Sequence, residues 1–219
     1  MSAPVALILG SGPRVGQAVA SAFAAEGYRI AVVSRSAKDG NASYLHIKGD
    51  LANPSSVAGI FDQVKKELGV PQVVVYNAAG GIGDALTLSV ADFAASLAIN
   101  TTSVYSAAQE ATAGFKTLPA GGTFIYTGNA TSQTPFPPLA GLSIGKSATA
   151  ALIQTLIGSP HKGEHSRYYY ADERKADGSL AGAALDGEAH AAIYTALAKQ
   201  PTQGPWQQTF VKGEGYKKF

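Results

Sequence analysis

Short apolar runs alternate with helical apolar stripes along most of this chain. Val5-Ala6-Leu7-Ile8-Leu9 has no polar alternation, which is how a strand reads when both faces of its sheet are covered. Gly10 to Gly16 follows, then Val15, Ala18, Val19, Ala22 and Phe23 at helical spacing, ending near Gly27. Arg29 to Ser34 predicts a second strand, and Tyr44 to Lys48 a shorter third. Asn53-Pro54 marks a helix start, with asparagine as the N-cap and proline in the first helical position. Val57, Ile60, Phe61, Val64 and Leu68 share one face of that helix. Gln72 to Tyr76 is a β-branched strand, and Val90 to Phe115 predicts one long, alanine-rich helix. Thr123 to Thr127 predicts a strand and Leu139 to Ile157 a helix. Arg167 to Ala171 predicts a strand whose three tyrosines alternate between core and interface. Asp172 to Gly187 reads as a glycine- and charge-rich connection. A helix from Glu188 to Lys199 and a strand from Gln207 to Val211 precede a basic, frayed end. Strands and helices alternating in this way predict an α/β protein with a doubly wound parallel sheet, formed as one domain over residues 1–219.

Charge and composition narrow the picture. A net charge of +2 gives no electrostatic case for nucleic acid or a membrane surface. The chain has no cysteine, which removes disulfides and thiol chemistry and is compatible with a reducing cytoplasm. The first strand begins almost at once, leaving no room for a leader, and no apolar run is long enough to span a bilayer. His161 and His165 have the i, i+4 spacing of a helical metal pair, but proline and glycine interrupt that stretch and no third ligand is evident, so no metal site is expected.

Strand, glycine loop and helix in that order can hold a pyrophosphate: glycines let the backbone approach, and the helix N-terminus offers free N–H groups and a positive dipole end. The alternative is a tight strand-to-helix turn of another α/β protein. At the end of the second strand, where an acidic residue would favour a free ribose 2′-hydroxyl, stand Ser34 and Arg35. That pair lacks a carboxylate to repel a 2′-phosphate and supplies a cation to bind one, unless Arg35 is only a solvated loop charge.

With Asn77-Ala78-Ala79-Gly80 after the fourth strand, the chain resembles the short-chain dehydrogenase/reductase family, from about Val5 to Ile157 in order and spacing. The resemblance implies a single Rossmann-type domain with a mainly parallel sheet of about seven strands, assembled as a homodimer or homotetramer and acting on a small molecule. It implies cofactor contacts at Gly10, Gly12, Arg14, Val15 and Gly16, where Arg14 replaces the family's middle glycine. It also implies contacts at Ser34 and Arg35, at Asp50 and Leu51 beside the adenine, at Asn77, Ala78 and Ala79, and at Lys146. NADP(H) is implied in preference to NAD(H). Asp50 also suits a capping role and Asn100 a purely structural hydrogen bond; in the family, an asparagine at the position of Asn100 holds a water in a proton relay.

The family's serine and its Tyr-x-x-x-Lys fall, counting back from Lys146, on Asn129 and Leu142, thirteen residues apart. The lysine is present; the proton-donating tyrosine and the serine are not. Asn129 can still polarise a carbonyl through its amide, so Lys146, Asn100 and Asn129 are the catalytic candidates. Thr127, Thr131, Ser132 or a water chain through Asn100 and Lys146 are candidate substitutes for the missing acid. The family's Pro-Gly turn after the sixth strand is also absent. Two readings stay open: an atypical NADP(H)-dependent oxidoreductase acting on a small carbonyl, alcohol or enone, and a non-redox nucleotide-binding protein on the same fold.

Overall fold

A computed structural model describes residues 3–36 and 42–219. Among the described residues eight strands form one sheet in the order β3-β2-β1-β4-β5-β6-β7-β8. β1 (Val5–Leu9), β2 (Arg29–Ser34), β3 (Leu45–Lys48), β4 (Val73–Tyr76), β5 (Thr123–Thr127), β6 (Arg167–Arg174) and β7 (Gln207–Val211) run parallel. The reversal of strand order between β1 and β4 opens a crevice at their carboxyl ends, where ligands of doubly wound sheets bind.

The helices cover both faces. α1 (Val15–Ala25) and α6 (Gly187–Ala198) lie on one, and α2 (Ser56–Glu67), α4 (Ser103–Phe115) and α5 (Ala140–Gly158) on the other. The sheet is therefore buried on both sides. Val5, Leu7 and Leu9 feed one core and Ala6 and Ile8 the other, which is why β1 needs no polar position. No helix among the described residues is long and apolar enough to cross a membrane.

The structure corrects several expectations. The sheet has eight strands, because the tail expected to fray folds back as β8 (Gly215–Tyr216), antiparallel to β7 through a turn at Gly213, whose φ is 77°. The predicted helix 90–115 is broken: α3 (Val90–Leu97) passes through a π-helical turn, Ala98–Thr102, before α4 begins. α2 starts later than Asn53-Pro54, since Asn53 Oδ1 accepts the Ser55 N–H and hydroxyl and so closes a turn ahead of the helix. Tyr168, Tyr169 and Tyr170 are all fully buried, so no face of that run is left for an interface. β6 extends through Asp172, Glu173 and Arg174, all buried, where a connection was expected. His161 and His165 lie in turns between α5 and β6, not on a helix.

Candidate active site

The glycine loop is shaped by close approaches. Gly10 has φ 102°, and a Cβ there would sit 2.5 Å from the Ala78 nitrogen, so both conformation and neighbour demand glycine. A Cβ on Gly16 would lie 2.5 Å from the Gly10 oxygen, whereas one on Gly12 would meet nothing within 4 Å. Gly12 therefore faces open space, where a ligand can come against bare backbone. Arg14 is exposed at the N-cap of α1 with φ −91°, so an arginine here strains nothing. Its carbonyl is covered by Gly187 at the start of α6, where a Cβ would come within 2.5 Å. The loop is tied to its neighbours. The Gly10 and Ser11 N–H groups donate to the Val33 carbonyl at 3.0 Å, and Asn77 Nδ2 donates to the Gly10 carbonyl at 2.8 Å.

A cleft of about 830 Å³ runs along the carboxyl ends of β1, β2 and β4. Of the residues expected to touch a cofactor, it brings together Gly10, Gly12, Ser34, Arg35, Asp50, Leu51, Asn77, Ala78 and Ala79. Arg14, Val15 and Gly16 do not line it; Val15 and Gly16 are buried in the first turn of α1 behind it. Asp50 accepts the Ala52 N–H at 3.0 Å, a local turn that uses one carboxylate oxygen. The cleft also takes in Gly80 from the Asn77–Gly80 turn, together with Ser36, Gly49, Gly81, Ile82, Leu88 and Ser96, which sequence reasoning missed. The run Gly80-Gly81 was the available signal there: Gly81 has φ 96°, and a Cβ on it would collide with Ser96.

Lys146, Asn100 and Asn129 stand outside that cleft. Asn100 is fully buried in the π turn; its Nδ2 donates to the Gly80 and Ser96 carbonyls at 2.6 and 2.9 Å, and its backbone oxygen accepts from Thr149 Oγ1 at 2.6 Å. Its side chain is thus committed to holding the cleft wall. Gly141 and Gly145 let α5 settle on this turn, since a Cβ on either would come 2.6 Å from Ser96 Oγ or Asn100 Cβ, respectively. The next residue, Lys146, is 4% exposed and donates from Nζ to the Thr127 carbonyl at 2.7 Å, with Nζ 4.8 Å from the centre of the Tyr126 ring. Burial lowers its pKa to about 8, partly opposed by the charge of Asp172.

Asn129 Oδ1 accepts the Thr131 N–H at 3.0 Å and hydroxyl at 2.6 Å, leaving Nδ2 as the donor to offer a ligand. The candidate hydroxyls are engaged: Thr131 and Ser132 donate to Asn129 oxygens, and Thr127 Oγ1 accepts from Tyr194 at 2.8 Å. Leu142 is half-buried on α5, one turn before Lys146.

Beside them lies the buried charged end of β6. Arg174 Nε donates to Asp172 Oδ2 at 2.7 Å, and Arg174 also reaches the Gly178 carbonyl and Gln133 Oε1 at 2.9 and 2.8 Å. Burial raises the pKa of Asp172, and Arg174 opposes that rise. On the other face Glu173 Oε2 accepts the Asp186 N–H at 2.7 Å and lies 3.3 Å from His190 Nδ1. The uninterrupted run from Arg167 to Lys175, with no glycine or proline until Gly178, was the signal that the strand continues.

A family model described as short chain dehydrogenase matches residues 4–160. A protein named short chain dehydrogenase/reductase dmxR12, from Cryptosporiopsis sp. (strain 8999), is 43% identical over 100% of this chain and 96% of its own length. A 3-beta-hydroxysteroid dehydrogenase from Comamonas testosteroni is 30% identical over 72% of this chain and 65% of its own length. Among solved structures, a metagenomic short-chain oxidoreductase in complex with NADP superposes with a TM-score of 0.84, at 18% identity, over 96% of this chain and 97% of its own. An alcohol dehydrogenase from Thermococcus sibiricus complexed with 5-hydroxy-NADP gives 0.79 at 21% identity, over 100% of both chains.

Proposed function

The chain belongs to the short-chain dehydrogenase/reductase family, and on that premise we propose that it is an NADP(H)-dependent oxidoreductase with a non-standard active site, acting on a small carbonyl, alcohol or enone. The observation that carries the cofactor reading is the cleft itself, which joins bare Gly12, the Asn77–Ala79 turn and the Ser34-Arg35 pair along one wall. The adenosine ribose sits at the end of β2 in such sites, and there the Ser34-Arg35 pair offers an exposed guanidinium and no carboxylate. The bound NADP of the metagenomic relative supports the same assignment.

Gly10 to Pro13 and the N-terminus of α1 would hold the pyrophosphate, Arg35 and Ser34 the 2′-phosphate, and Asp50 the adenine. When bound, the reduced nicotinamide supplies a hydride. Asn129 Nδ2 would polarise a carbonyl, and Lys146 would supply a buried positive charge.

A second reading has its own observation. Leucine stands at the usual tyrosine position and the nearby hydroxyls are engaged, which favours a nucleotide-binding protein without turnover. Titration with NADPH and NADH, followed by an absorbance screen at the nicotinamide band against a carbonyl panel, separates the two. Turnover supports the oxidoreductase; tight NADPH binding with no oxidation across the panel supports the second reading. Arg35→Ala is expected to weaken NADPH by about 10- to 100-fold, the worth of a charge-assisted pair, and NADH by little. Equal losses for the two nucleotides would show that Arg35 does not read the 2′-phosphate.

A further inference from the structure

The turn that leaves β5 is gripped at each of its residues. The Gly128 N–H donates to the Ala171 carbonyl on β6 at 2.7 Å, and strand alternation then turns the Thr127 carbonyl, with Lys146 on it, toward β4. Tyr76 pairs with Tyr126, so the turn leaves the sheet next to Asn77, which lines the cofactor cleft. Asn129 is held by Tyr170 of β6. Its N–H donates to the Tyr170 hydroxyl at 3.2 Å, and that hydroxyl donates to its carbonyl at 3.1 Å, where Ser132 Oγ also donates at 3.2 Å. Gly128 makes this reach possible, since a Cβ there would lie 2.0 Å from Tyr170 Cε1. The Tyr170 ring is fully buried, with the Tyr126 and Trp206 rings at centroid distances of 5.5 and 6.0 Å. The Asn129 side chain then has one orientation. The Thr131 N–H needs an acceptor and takes Oδ1, so Nδ2 is the free end, with no acceptor among the described residues.

We propose that Tyr170 is a positioning residue, which fixes the backbone of Asn129 so that Nδ2 is preorganised as the donor to a substrate carbonyl. This rests on the oxidoreductase reading above. A donor aimed at a developing oxyanion contributes most when it need not reorganise during the reaction. Asn129 leaves β5 in an extended conformation, φ −164° and ψ 174°, which is one of several open to a loop asparagine. The Tyr170 hydroxyl, bonded to both backbone groups of that residue, removes the others. Tyr170 is not itself the acid that Leu142 fails to supply: its proton is given to the Asn129 carbonyl, and burial raises its pKa. Tyr170 does not line the cofactor cleft, so its effect on the reaction is separable from nucleotide binding.

The test sets Tyr170→Phe against Tyr168→Phe. Tyr168 is also fully buried, on the same face of β6, but its hydroxyl meets Thr112 Oγ1 at 2.7 Å, so that variant loses a comparable bond without touching the turn. Amide exchange is read first, without nucleotide. The Asn129 N–H, measured against the neighbouring Gly128 N–H, is expected to exchange about tenfold faster or more in Tyr170→Phe and to keep its ratio in Tyr168→Phe. With NADPH and benzaldehyde, acetophenone and an ortho-quinone as probes, kcat falls about tenfold or more in Tyr170→Phe, while KM and NADPH affinity stay within about threefold. Asn129→Ala lowers kcat by about 100-fold, and adding Tyr170→Phe to it changes kcat by less than about threefold, because both substitutions act through one donor. An unchanged exchange ratio in Tyr170→Phe overturns the proposal. So does an equal fall of kcat in Tyr168→Phe, and so does a further tenfold fall when Tyr170→Phe is added to Asn129→Ala. NADPH binding with no reduction of any probe by the wild type instead overturns the oxidoreductase reading and, with it, the role assigned to Tyr170, while the exchange ratio still decides whether Tyr170 holds the turn.

Discussion

Acid should weaken this fold through one imidazole, and the size of the effect can be worked out. His190 is fully buried on α6, its ring edge-on to Tyr194 and Phe210 with centroids 5.6 and 5.0 Å away. Nδ1 lies 2.7 Å from the Asp186 carbonyl, so it carries the proton, while Nε2 is buried with no partner. Protonating Nε2 would place a charge in a pocket where burial outweighs the Glu173 carboxylate 3.3 Å from Nδ1, and burial lowers the pKa from 6.5 to about 4. The unfolded chain takes up the proton near pH 6.5 and the folded chain does not, so stability falls as pH drops through this window and the loss levels off below about pH 4. Linkage puts the loss between pH 7.5 and pH 5 at about 2 kcal/mol, out of roughly 3 kcal/mol for the full window. Urea unfolding followed by Trp206 fluorescence at the two pH values is expected to show the wild-type midpoint lower at pH 5 by about 1 M, given slopes of about 1–3 kcal/mol/M. His190→Asn keeps a donor for the Asp186 carbonyl and cannot titrate. Asp172, whose pKa burial raises, titrates in both proteins and largely cancels in the difference; Glu173, 3.3 Å from His190 Nδ1, is removed from it by making the comparison in a Glu173→Gln background. If the variant loses as much stability as the wild type between the two pH values, His190 is not the group responsible and the reasoning fails.

Three further experiments test the site. Gly10→Ala forces a left-handed residue against the Ala78 nitrogen and is expected to cost about 2 kcal/mol or more, with NADPH affinity down at least about tenfold, while Gly12→Ala, facing open space, should leave the unfolding midpoint nearly unchanged; equal destabilisation by both would contradict the loop geometry. Asn100→Ala leaves the Gly80 carbonyl and Ser96 without their amide partner and should lower stability by about 2–4 kcal/mol in urea, an effect under about 1 kcal/mol being inconsistent with those bonds. Leu142→Tyr combined with Asn129→Ser is expected to raise NADPH-dependent carbonyl reduction by about 10²-fold or more if the pocket accepts a tyrosine acid, and no gain would place the defect at the end of β6.

The sheet and the cofactor cleft were legible because each rests on a local rule. Val5 to Leu9 and Val73 to Val75 can only be covered strands, and Gly10 and Gly16 announce backbone approaches that the fold makes. What was illegible depended on partners distant in sequence. Asp172, Glu173 and Arg174 look like a solvated connection until β7 pairs with them and Arg174, Gln133, Asp186 and His190 appear as their counterparts. The π turn at Asn100 could not be read from an alanine-rich helix, because it exists to serve Gly80, twenty residues away. At Arg14 the family pattern has a glycine, as though the backbone needed one there. Its φ shows that this loop does not.

Leu142, proposed to stand where the family has its tyrosine, and the charged end of β6 are physically coupled. A lysine that is 4% exposed cannot hold its charge without an anion or a dense set of acceptors, and Leu142, one turn away on the same helix, brings only apolar surface. Among the described residues the Thr127 carbonyl is its one hydrogen-bond acceptor, and the balancing charge comes from Asp172. Asp172 is itself tolerable in the core because Arg174 clamps one oxygen, and Arg174 because Gly178 and Gln133 take its remaining donors. Replacing Leu142 alone would therefore add an acid to a site whose charge balance is already set by β6. Replacing Asp172 alone would strand Lys146 and Arg174 together. Substitutions at Lys146, Asp172 and Arg174 are therefore expected to act as a set and not independently.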